Sequence, residues 1–328
     1  QHFSLRKSAD NFNLSQLQAI CDYAAERHKS IYLALNIFPH ERDIPNIIAF
    51  LKTIAPLPLS ALIISDLGMF TLAKTYTNIP IHVSTQASVL NTPAAQFWKD
   101  QGAARVVLAR EASIKEAGTI QSNTGLETEV FIHGAMCSSF SGKCTISNVT
   151  SGRDSNRGGC IQSCRHNYQL SNGDALHIMN SKDLMGLAAI PLYFKHNITA
   201  VKIEGRMKSP LYLANAIQQY RTAIDTYATS PNTFTSLQPT LQSNLERISN
   251  RGFTDASLVS PAAASSISYE WNGYSKNTEY MGIVKQSDTN KSLIQFKQPV
   301  ASGDALTVLS PNNDSVTSKP LSIHLNLS

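Results

Sequence analysis

Short apolar segments alternate with helical patterns along the first two thirds of this 328-residue chain. Six segments are interpreted as β-strands, at residues 31–36, 61–65, 81–85, 105–109, 129–133 and 198–203. The spacing of apolar residues predicts helices before, between and after them, at about residues 13–28, 43–55, 68–76, 92–101, 113–122, 183–196 and 209–229. Strands that are apolar on both faces and alternate with helices are typical of parallel βα units. The pattern therefore predicts an α/β protein built on a parallel sheet.

Polar residues follow these strands at the ends where the chain leaves the sheet. They are Asn36, Asp66, residues 84–86, Arg110 with Glu111, His133, and residues 204–206. The carboxyl ends of the strands are where a (β/α)8 barrel builds its active site. A dinucleotide-binding fold has no support, since no G-x-G-x-x-G follows the early strands. Six strands do not close an eight-stranded barrel, so either two strands are missing from this chain or the sheet is open.

The character of the sequence changes after Thr229. Residues 230–239 are rich in Ser, Thr and Pro and are interpreted as a linker, followed by a short helix at about 241–250. From Glu279 onward the pattern is all-β, with strands expected at 280–284, 293–297 and 305–309. The expected domains are an incomplete barrel over residues 1–229 with a four-cysteine insertion at 137–164, a linker and short helix over 230–268, and a small β-domain over 269–328.

Four of the five cysteines lie close together, as Cys137, Cys144, Cys160 and Cys164. Their spacing is C-x6-C-x15-C-x3-C, and loop-forming Gly, Ser, Asn and Arg residues lie between them. Thiolates are soft ligands, so the arrangement indicates an iron–sulfur cluster or zinc. Zinc sites usually take two cysteines from one tight turn, whereas a cluster is larger and accepts wider loops. Zinc, disulfides and free thiols stay open as alternatives. The fifth cysteine, Cys21, falls on the apolar face of a predicted helix and is interpreted as core.

Basic residues surround the cysteines and also follow the last predicted strand of the sheet. They are Lys143, Arg153, Arg157, Arg165 and His166 in the first group, and Lys202, Arg206 and Lys208 in the second. Such a rim is suited to a polyanion such as RNA, and the net charge of +5 with a pI near 8.9 is compatible with one. The alternative interpretation is solvated loop charge.

Two histidines and one pair of opposite charges are further candidates. His133 lies four residues before Cys137 and is favoured over His82 as a functional group. Glu204 and Arg206 flank a glycine at a strand end, where they would hold a carboxylate-bearing ligand or form a structural ion pair. No H-E-x-x-H or G-x-S-x-G motif occurs in the sequence, so common protease signatures are missing.

The composition is that of a globular protein, 42% hydrophobic and 16% charged. No apolar run approaches the roughly 18 residues needed to cross a bilayer. Few cysteines in a long chain are not typical of a secreted disulfide framework. We therefore expect a cytoplasmic protein without a membrane segment.

The cysteine region resembles a known family signature. Residues 129–147 follow the pattern E-x-F-x2-G-A-M-C-x4-G-x-C-x-I-S, which looks like the signature of the peptidase U32 family, once described as collagenase-like. The resemblance continues at residues 3–6, 11–12, 36–40, 82–86, 108–111, 202–210 and 250–254. It is close as far as about residue 255 and loose in the tail.

The resemblance implies a (β/α)8 TIM-like barrel whose first two strands precede residue 1, so the chain is expected to be N-terminally incomplete. It implies a [4Fe–4S] cluster on the four cysteines, with zinc as the alternative cofactor. Similar family members modify RNA without oxygen. They 5-hydroxylate the wobble uridine of tRNA with prephenate as the hydroxyl donor, or they hydroxylate a ribosomal RNA cytidine.

This resemblance also implies roles for single residues. The predicted catalytic residues at the barrel mouth are His133, Glu204 and Arg206. The residues predicted to bind substrate are Arg110, Arg153, Arg157, Arg165 and Lys208. Two other functions are kept as alternatives, a peptidase acting on collagen-like substrates and a zinc-stabilised RNA-binding module without catalysis.

Overall fold

A computed structural model of the chain describes residues 3–5, 11–270, 273–274, 281–288, 291–301, 304, 306–308 and 316–318. Helices α1 to α9 span Leu14–Ala25, Ile44–Ile54, Leu67–Tyr76, Thr92–Asp100, Ile114–Thr124, Ile146–Ser151, Ile190–Lys195, Pro210–Thr229 and Pro231–Glu246. Strands β1 to β14 span Tyr32–Leu35, Ala61–Ile64, Ile81–Val83, Arg105–Val107, Glu127–Ala135, Tyr168–Gln169, Ala175–Leu176, Asp183–Met185, Ala200–Ile203, Phe253–Thr254, Gly282–Ser287, Ser292–Phe296, Leu306–Val308 and Val316–Ser318.

Eight of the described strands form one sheet in the order β1-β2-β3-β4-β5-β8-β10, with β9 also paired to β5. Strands β1 to β5 are parallel to one another, and β9 is parallel to β5. Strand β8 runs antiparallel to the end of β5, and β10 is parallel to β8. The prediction of an α/β protein with a parallel sheet is confirmed. Among the described residues the pairing runs from β1 at one edge to β10 at the other, and a closed barrel is not confirmed.

Local sequence explains where the helices begin. The side chains of Asn13, Asp66, Asn91, Ser113 and Ser209 accept hydrogen bonds from first-turn amides of α1, α3, α4, α5 and α8. Strand β2 is buried along its whole length, as expected for a parallel strand that is covered on both faces. These short strands therefore hold their carboxyl ends, and the loops that follow, in fixed positions.

Contacts divide the chain into two compact units, residues 1–207 with 251–273 and residues 208–250 with 274–328. The first contains the eight-stranded sheet and the cysteine region. In the second, α8 and α9 pair through hydrogen bonds from Asn215 to the carbonyl of Asn244 at 3.0 Å and from Asn244 to Gln219 at 3.1 Å. There β11 pairs with β12 and β13 with β14, both antiparallel. These units divide the chain at other positions than the expected domains, whose boundaries stay a prediction.

The helix predicted over residues 183–196 is wrong in its first part. The structure has strand β8 at Asp183–Met185, and helix α7 begins only at Ile190. Leu184 pairs with Gly134 of β5, so a contact distant in sequence fixes the extended conformation. Pro191 then falls in the first turn of α7, where its missing amide is tolerated.

The linker predicted over residues 230–239 is also wrong. Helix α9 runs through this segment and contains Pro239 in its interior. Pro231 lies in the first turn of α9, where proline is favourable, and Phe234, Leu241 and Leu245 are buried. Burial of one helix face therefore outweighs the low helix propensity of the Ser, Thr and Pro residues.

The C-terminal strands were expected from Tyr280 and over 305–309. Tyr280, Ala305 and Leu309 lie outside the described residues. The described parts are β11, which begins at Gly282, and β13 at Leu306–Val308.

Candidate cysteine site and adjacent cavity

The cysteine region leaves the sheet at the end of β5. Cys137 follows this strand directly, Cys144 precedes α6, and Cys160 and Cys164 lie on the segment after α6. All five cysteines are free thiols. Cys137 and Cys160 are exposed, Cys144 and Cys164 are partly buried, and Cys21 is buried in α1, as predicted.

Ser141 and Gly142 anchor the first cysteine loop on the ends of β3 and β4. The backbone amide of Ser141 donates to Oε1 of Glu111 at 3.0 Å, and its hydroxyl accepts from the amide of Arg110 at 3.1 Å. Gly142 has a φ of +75°, and a Cβ built there would lie 2.0 Å from the carbonyl oxygen of Gln86. Only glycine fits this close approach, so the loop is held against the strand ends.

Arg157 anchors the second cysteine loop on the segment between β1 and α2. Its Nη1 lies 2.7 Å from Oδ2 of Asp43 and donates to the carbonyl of Phe38 at 2.6 Å. Asp43 also accepts from the amide of His40 at 2.7 Å, and its side chain makes no capping hydrogen bond to α2. The hydrogen bond from Arg157 holds the pKa of the Asp43 carboxyl below its ordinary value.

A buried ion pair lies beside the residue that precedes Cys137. Arg251 donates from Nε and Nη2 to Oδ1 of Asp183, at 2.8 and 2.6 Å. Its Nη1 reaches Oδ1 of Asn180 at 3.3 Å, and its Nη2 reaches the carbonyl of Met136 at 3.4 Å. Both charged side chains are buried and paired, as buried charges require. Arg251 therefore joins β8 to the start of the first cysteine loop.

The thiols of Cys137 and Cys160 act electrostatically on the Cys164 thiol. Burial raises the pKa of the Cys164 thiol, and the two neighbouring thiols raise it further, while Arg165 and a hydrogen bond with Ser138 lower it. Within the described part of the chain, no three Cys, His, Asp or Glu side chains surround a position for one metal ion. The donor set, four reduced thiols on anchored loops, has the chemistry that iron–sulfur clusters use.

A cavity of about 270 Å³ lies beside Cys137 at the carboxyl ends of β4 and β5. Arg110, Glu111, Phe140 and Lys182 contribute to its lining. Nε of Arg110 and Oε2 of Glu111 are buried and have no hydrogen-bond partner among the described residues. Buried polar groups are nearly always paired. Two orphaned atoms of opposite character in one cavity therefore make it a candidate ligand site.

The three predicted catalytic residues lie at the neighbouring ends of β5 and β9. His133 is fully buried, and its ring packs against Phe253 with 5.6 Å between centroids. The amide of Glu204 donates to the carbonyl of His133 at 2.8 Å. Arg206 is exposed and donates to Oδ1 of Asn11 at 2.7 Å. The fold brings the three together, but none of them lines the cavity, and their catalytic role stays a prediction.

The arginines predicted to bind substrate have different surroundings. Arg110 lines the cavity, and its guanidinium lies 5.2 Å from the ring centre of Phe131. Arg153 is exposed, and Arg165 is partly buried and donates to Gln162. Arg157 is engaged within the protein by the contacts described above. This placement favours Arg110, Arg153 and Arg165 over Arg157 for contacting a substrate.

Lys208 belongs to the second unit and has its own partners there. Its ammonium donates to the carbonyl of Ser249 at 3.2 Å. It also lies 4.7 Å from the ring centre of Tyr212 and 5.1 Å from that of Tyr274. These contacts describe a lysine that stabilises its own unit, and its role in substrate binding stays a prediction.

A second polar cluster lies nearer the amino ends of β3, β4 and β5. Glu129 accepts from Lys202 at 2.9 Å and from Arg105 at 3.4 Å. Burial acts to raise the pKa of Glu129, but Lys202 and Arg105 outweigh it and hold the pKa below its ordinary value. Burial and the Arg105 charge lower the pKa of His82 to about 4. The cluster therefore contains a neutral histidine and a paired carboxylate at neutral pH.

The sequence placed Glu111 at a strand end without giving it a role, and it did not indicate Phe140, Lys182 or Arg251 as site residues. Glu111 and Arg251 lie in segments that resemble the family, but only the structure shows their contacts. Phe140 carried a weak signal, an aromatic residue in a loop of small polar residues, and it is 54% exposed. Lys182 carried none, because it precedes β8, the strand that was predicted as helix.

Fold and site together define a mixed α/β protein with four free cysteines on loops at the carboxyl edge of a largely parallel sheet. The chain matches Peptidase family U32 over residues 1–267. It belongs to that family, as the cysteine signature indicates.

Three relatives show where this chain lies in the family. It is 33% identical over 332 residues to the tRNA hydroxylation protein P1 of Bacillus subtilis, covering 97% of this chain and 78% of the relative. It is 38% identical over 278 residues to the tRNA hydroxylation protein P of Helicobacter pylori, covering 79% and 65%. It is 31% identical over 229 residues to the 23S rRNA 5-hydroxycytidine C2501 synthase of Escherichia coli, covering 68% and 35%.

Among solved structures, that of the U32 peptidase Mk0906 aligns with a TM-score of 0.36 and 17% identity, over 41% of this chain and 58% of that chain. A likeness this partial carries no argument about the fold. None of the helices in the described ranges is long and apolar enough to cross a membrane.

Proposed function

We propose that this chain is a cytoplasmic RNA-modifying enzyme that hydroxylates a pyrimidine, with the wobble uridine of tRNA as substrate and prephenate as hydroxyl donor. The observation that carries the proposal is the likeness to tRNA hydroxylation protein P1, with 33% identity across 97% of the chain. The relative named for 5-hydroxycytidine synthesis adds support, because it ties a second RNA pyrimidine to the same kind of modification.

The cofactor proposed here is a [4Fe–4S] cluster held by Cys137, Cys144, Cys160 and Cys164. The four thiols are reduced, the first of their loops is anchored to strand ends, and the second is anchored to the segment between β1 and α2. When bound, such a cluster supplies one-electron chemistry that thiols alone do not. The protein's part is to hold the loops, through Ser141, Gly142 and Arg157, and to place a cavity beside them.

The donor site is assigned to the ends of β5 and β9. Arg206 is exposed there, and a guanidinium is the preferred partner of a carboxylate such as those of prephenate. Glu204 and His133 lie next to it and would fix the backbone that carries it, since the Glu204 amide is bonded to the His133 carbonyl. The donor would thus enter near the strand ends without occupying the cavity.

RNA binding is assigned to the basic residues around the cysteines. Arg153 is exposed, Lys143 is exposed, and Arg165 is partly buried beside Cys164. Phosphate contacts of this kind position an RNA strand and make its affinity depend on salt. Arg157 instead positions the loop that carries these residues.

The parallel sheet is proposed to be part of a TIM-like (β/α)8 barrel. Consecutive parallel pairing from β1 to β5, with a helix after each of the first four strands, is the pattern of that fold. The cysteines and the cavity then lie at the carboxyl ends of the strands, which is where such barrels carry their active sites.

Expression of the chain in a bacterial strain without its own tRNA hydroxylation genes tests this function. Nucleoside mass spectrometry of the tRNA is expected to show 5-hydroxyuridine with the wild-type chain and none with Cys144→Ser. Hydroxycytidine in ribosomal RNA with unmodified tRNA would move the substrate to ribosomal RNA. Gelatin cleavage by the purified protein, with both RNAs unmodified, would favour a peptidase.

A further inference from the structure

The polar groups of the cavity define the ligand that would satisfy them. Nε of Arg110 is a buried donor and Oε2 of Glu111 a buried acceptor, and the described structure gives neither a partner. Lys182 belongs to the same lining, and its ammonium group is a hydrogen-bond donor. Leaving such groups unpaired is unfavourable. The matching ligand therefore presents acceptors to Arg110 and Lys182 and a hydrogen-bond donor to Glu111.

The size of the cavity and its rim restrict the ligand further. At about 270 Å³ it lies just below the range of roughly 300 to 1,000 Å³ that is typical of drug-sized ligands, so it suits a single ring. Phe140 belongs to the lining and is 54% exposed. An exposed aromatic side chain beside basic loops is the kind of platform on which single-stranded bases stack. Ring size, stacking surface and mixed donors and acceptors together describe a nucleobase.

We propose that this cavity receives the target base of the RNA, turned out of its stack, and that Arg110, Glu111 and Phe140 recognise it as uracil. The inference rests on the proposed function and adds the place where the base binds. The pairing edge of uracil offers two carbonyl acceptors and one N–H donor, which is the set that Arg110, Lys182 and Glu111 require. Cytosine offers the same number of acceptors and donors, but its donor is the amino group at one end of the edge, whereas uracil has its N–H in the middle. We assign Glu111 to the middle of the edge, where it would face the ring nitrogen acceptor of cytosine.

A small dicarboxylate donor fits the same cavity less well. Arg110 and Lys182 could pair with its carboxylates, but Glu111 would have no donor to accept from and would lie beside a like charge, which opposes binding. Uracil is neutral and donates to that oxygen. The position of the cavity beside Cys137 places the bound base next to the proposed cluster ligands.

Fluorescence anisotropy with a labelled anticodon stem-loop tests the proposal without requiring turnover. The loop carries uridine, cytidine or an abasic residue at the wobble position. The anaerobically purified wild-type protein is expected to bind the abasic loop roughly 5- to 100-fold more weakly than the uridine loop. In Phe140→Ala this difference should disappear, and in Phe140→Trp it should return.

Two further variants complete the test. Phe97→Ala removes an aromatic ring that is 45% exposed on α4, away from the cavity, and should bind all loops like the wild type. Glu111→Gln keeps an oxygen for the Ser141 amide but loses the charge, and should narrow the preference for uridine over cytidine. In steady-state assays, Phe140→Ala and Glu111→Gln should have the same KM for prephenate as the wild type.

Equal weakening of the uridine and abasic loops by Phe140→Ala would overturn the proposal, because the ring would then contact RNA outside the base. A raised KM for prephenate with unchanged RNA affinity would also overturn it and assign the cavity to the donor. If the wild-type protein hydroxylates tRNA and Phe140→Ala leaves the affinities for all three loops unchanged, the base site is rejected and the proposed function is kept. If the wild-type protein binds the uridine loop more tightly than the abasic loop but hydroxylates no RNA, the proposed function is rejected and the base site is kept.

Discussion

Individual residues at the cysteine site differ in how clearly their loss can be interpreted. Cys144 is partly buried, and its carbonyl accepts a hydrogen bond from Asn156 at 2.9 Å that a substitution of the side chain leaves intact. The only role proposed for its thiol is that of a cluster ligand. It is therefore the best single residue for testing the cluster.

Cys144→Ser is expected to remove cluster and activity together, because a serine oxygen is a harder and weaker ligand for iron than a thiolate. Iron and acid-labile sulfide are measured after anaerobic purification. Cys21→Ala is the matched control, since Cys21 is buried in α1 and should leave the iron content unchanged. Full iron content in Cys144→Ser would show that the ligand set is wrong.

His82 makes the stability of the first unit depend on pH. Its pKa falls from 6.5 to about 4 in the folded state, so the unfolded chain binds the proton more readily. The stability that this neutral histidine contributes is complete above pH 6.5 and is lost as the pH falls towards 4. The charged and titratable groups that act on it are Arg105, Glu129, Glu127 and Lys202, and the Tyr32 ring packs against it.

From pH 7.5 to pH 5 the free energy of unfolding should therefore drop by about 2 kcal/mol through His82 alone. Denaturant unfolding of the wild type and of His82→Gln at both pH values measures this contribution. In His82→Gln the drop in unfolding free energy between the two pH values should be smaller by this amount, whatever the stability of the variant at pH 7.5. The same drop in both proteins would contradict the account.

Single elements of the fold decide where the cysteine loops lie. The first loop depends on close approach of Gly142 to β3, and the second depends on the ion pair of Arg157 with Asp43. Neither feature is part of the ligand set. Both can therefore be changed without touching a thiol.

Gly142→Ala should displace the first loop. The new Cβ would lie 2.0 Å from the carbonyl of Gln86, in addition to the cost of a φ of +75°. Gly152→Ala separates the two effects, because Gly152 has a φ of +66° and nothing within 4 Å of the added carbon. Expected losses in unfolding free energy are about 1 kcal/mol for Gly152→Ala and roughly 3 kcal/mol for Gly142→Ala, with iron lost only from the latter. Equal effects of the two variants would mean that the contact with Gln86 does not hold the loop.

Arg157→Met should loosen the second loop, since it removes the ion pair with Asp43 and the bond to the Phe38 carbonyl. We expect a loss of about 1–3 kcal/mol in unfolding free energy and faster loss of iron to a chelator. Arg153→Met is the control, because it changes an exposed arginine close by in the sequence. It should keep the unfolding free energy and the rate of iron loss at the wild-type level while weakening RNA binding. Iron release at the wild-type rate from Arg157→Met would remove Arg157 from its positioning role.

On the scale of the whole molecule, the sequence predicts what depends on neighbours along the chain. Helix α8 begins at Pro210 and ends at Thr229 as expected, because Ser209 caps it and the proline sets its first turn. Strand β8 could not be predicted, since its three residues are held extended by pairing with β5 and β10, which are distant in the sequence. Helix α9 includes Pro239 because burial of Leu241 and Leu245 outweighs propensity.

The residues of the candidate site also differ in whether the sequence reveals them. The cysteines and Arg110 carry signals in the sequence, because their residue types and strand-end positions suggest chemistry. Lys182 joins Arg110 in the cavity only through the fold, and Arg157 meets Asp43 across more than a hundred residues. Such pairings follow from sheet order and loop anchoring, which a single sequence does not reveal.

Hydroxylation of tRNA by the purified protein is the most direct measurement of the central claim. The anaerobically purified chain is incubated with prephenate and tRNA lacking 5-hydroxyuridine, and the digested nucleosides are quantified by mass spectrometry. The account predicts 5-hydroxyuridine that accumulates with time, requires prephenate and is missing with Cys144→Ser. Unmodified tRNA after incubation with protein that carries iron and sulfide, together with prephenate, would contradict it.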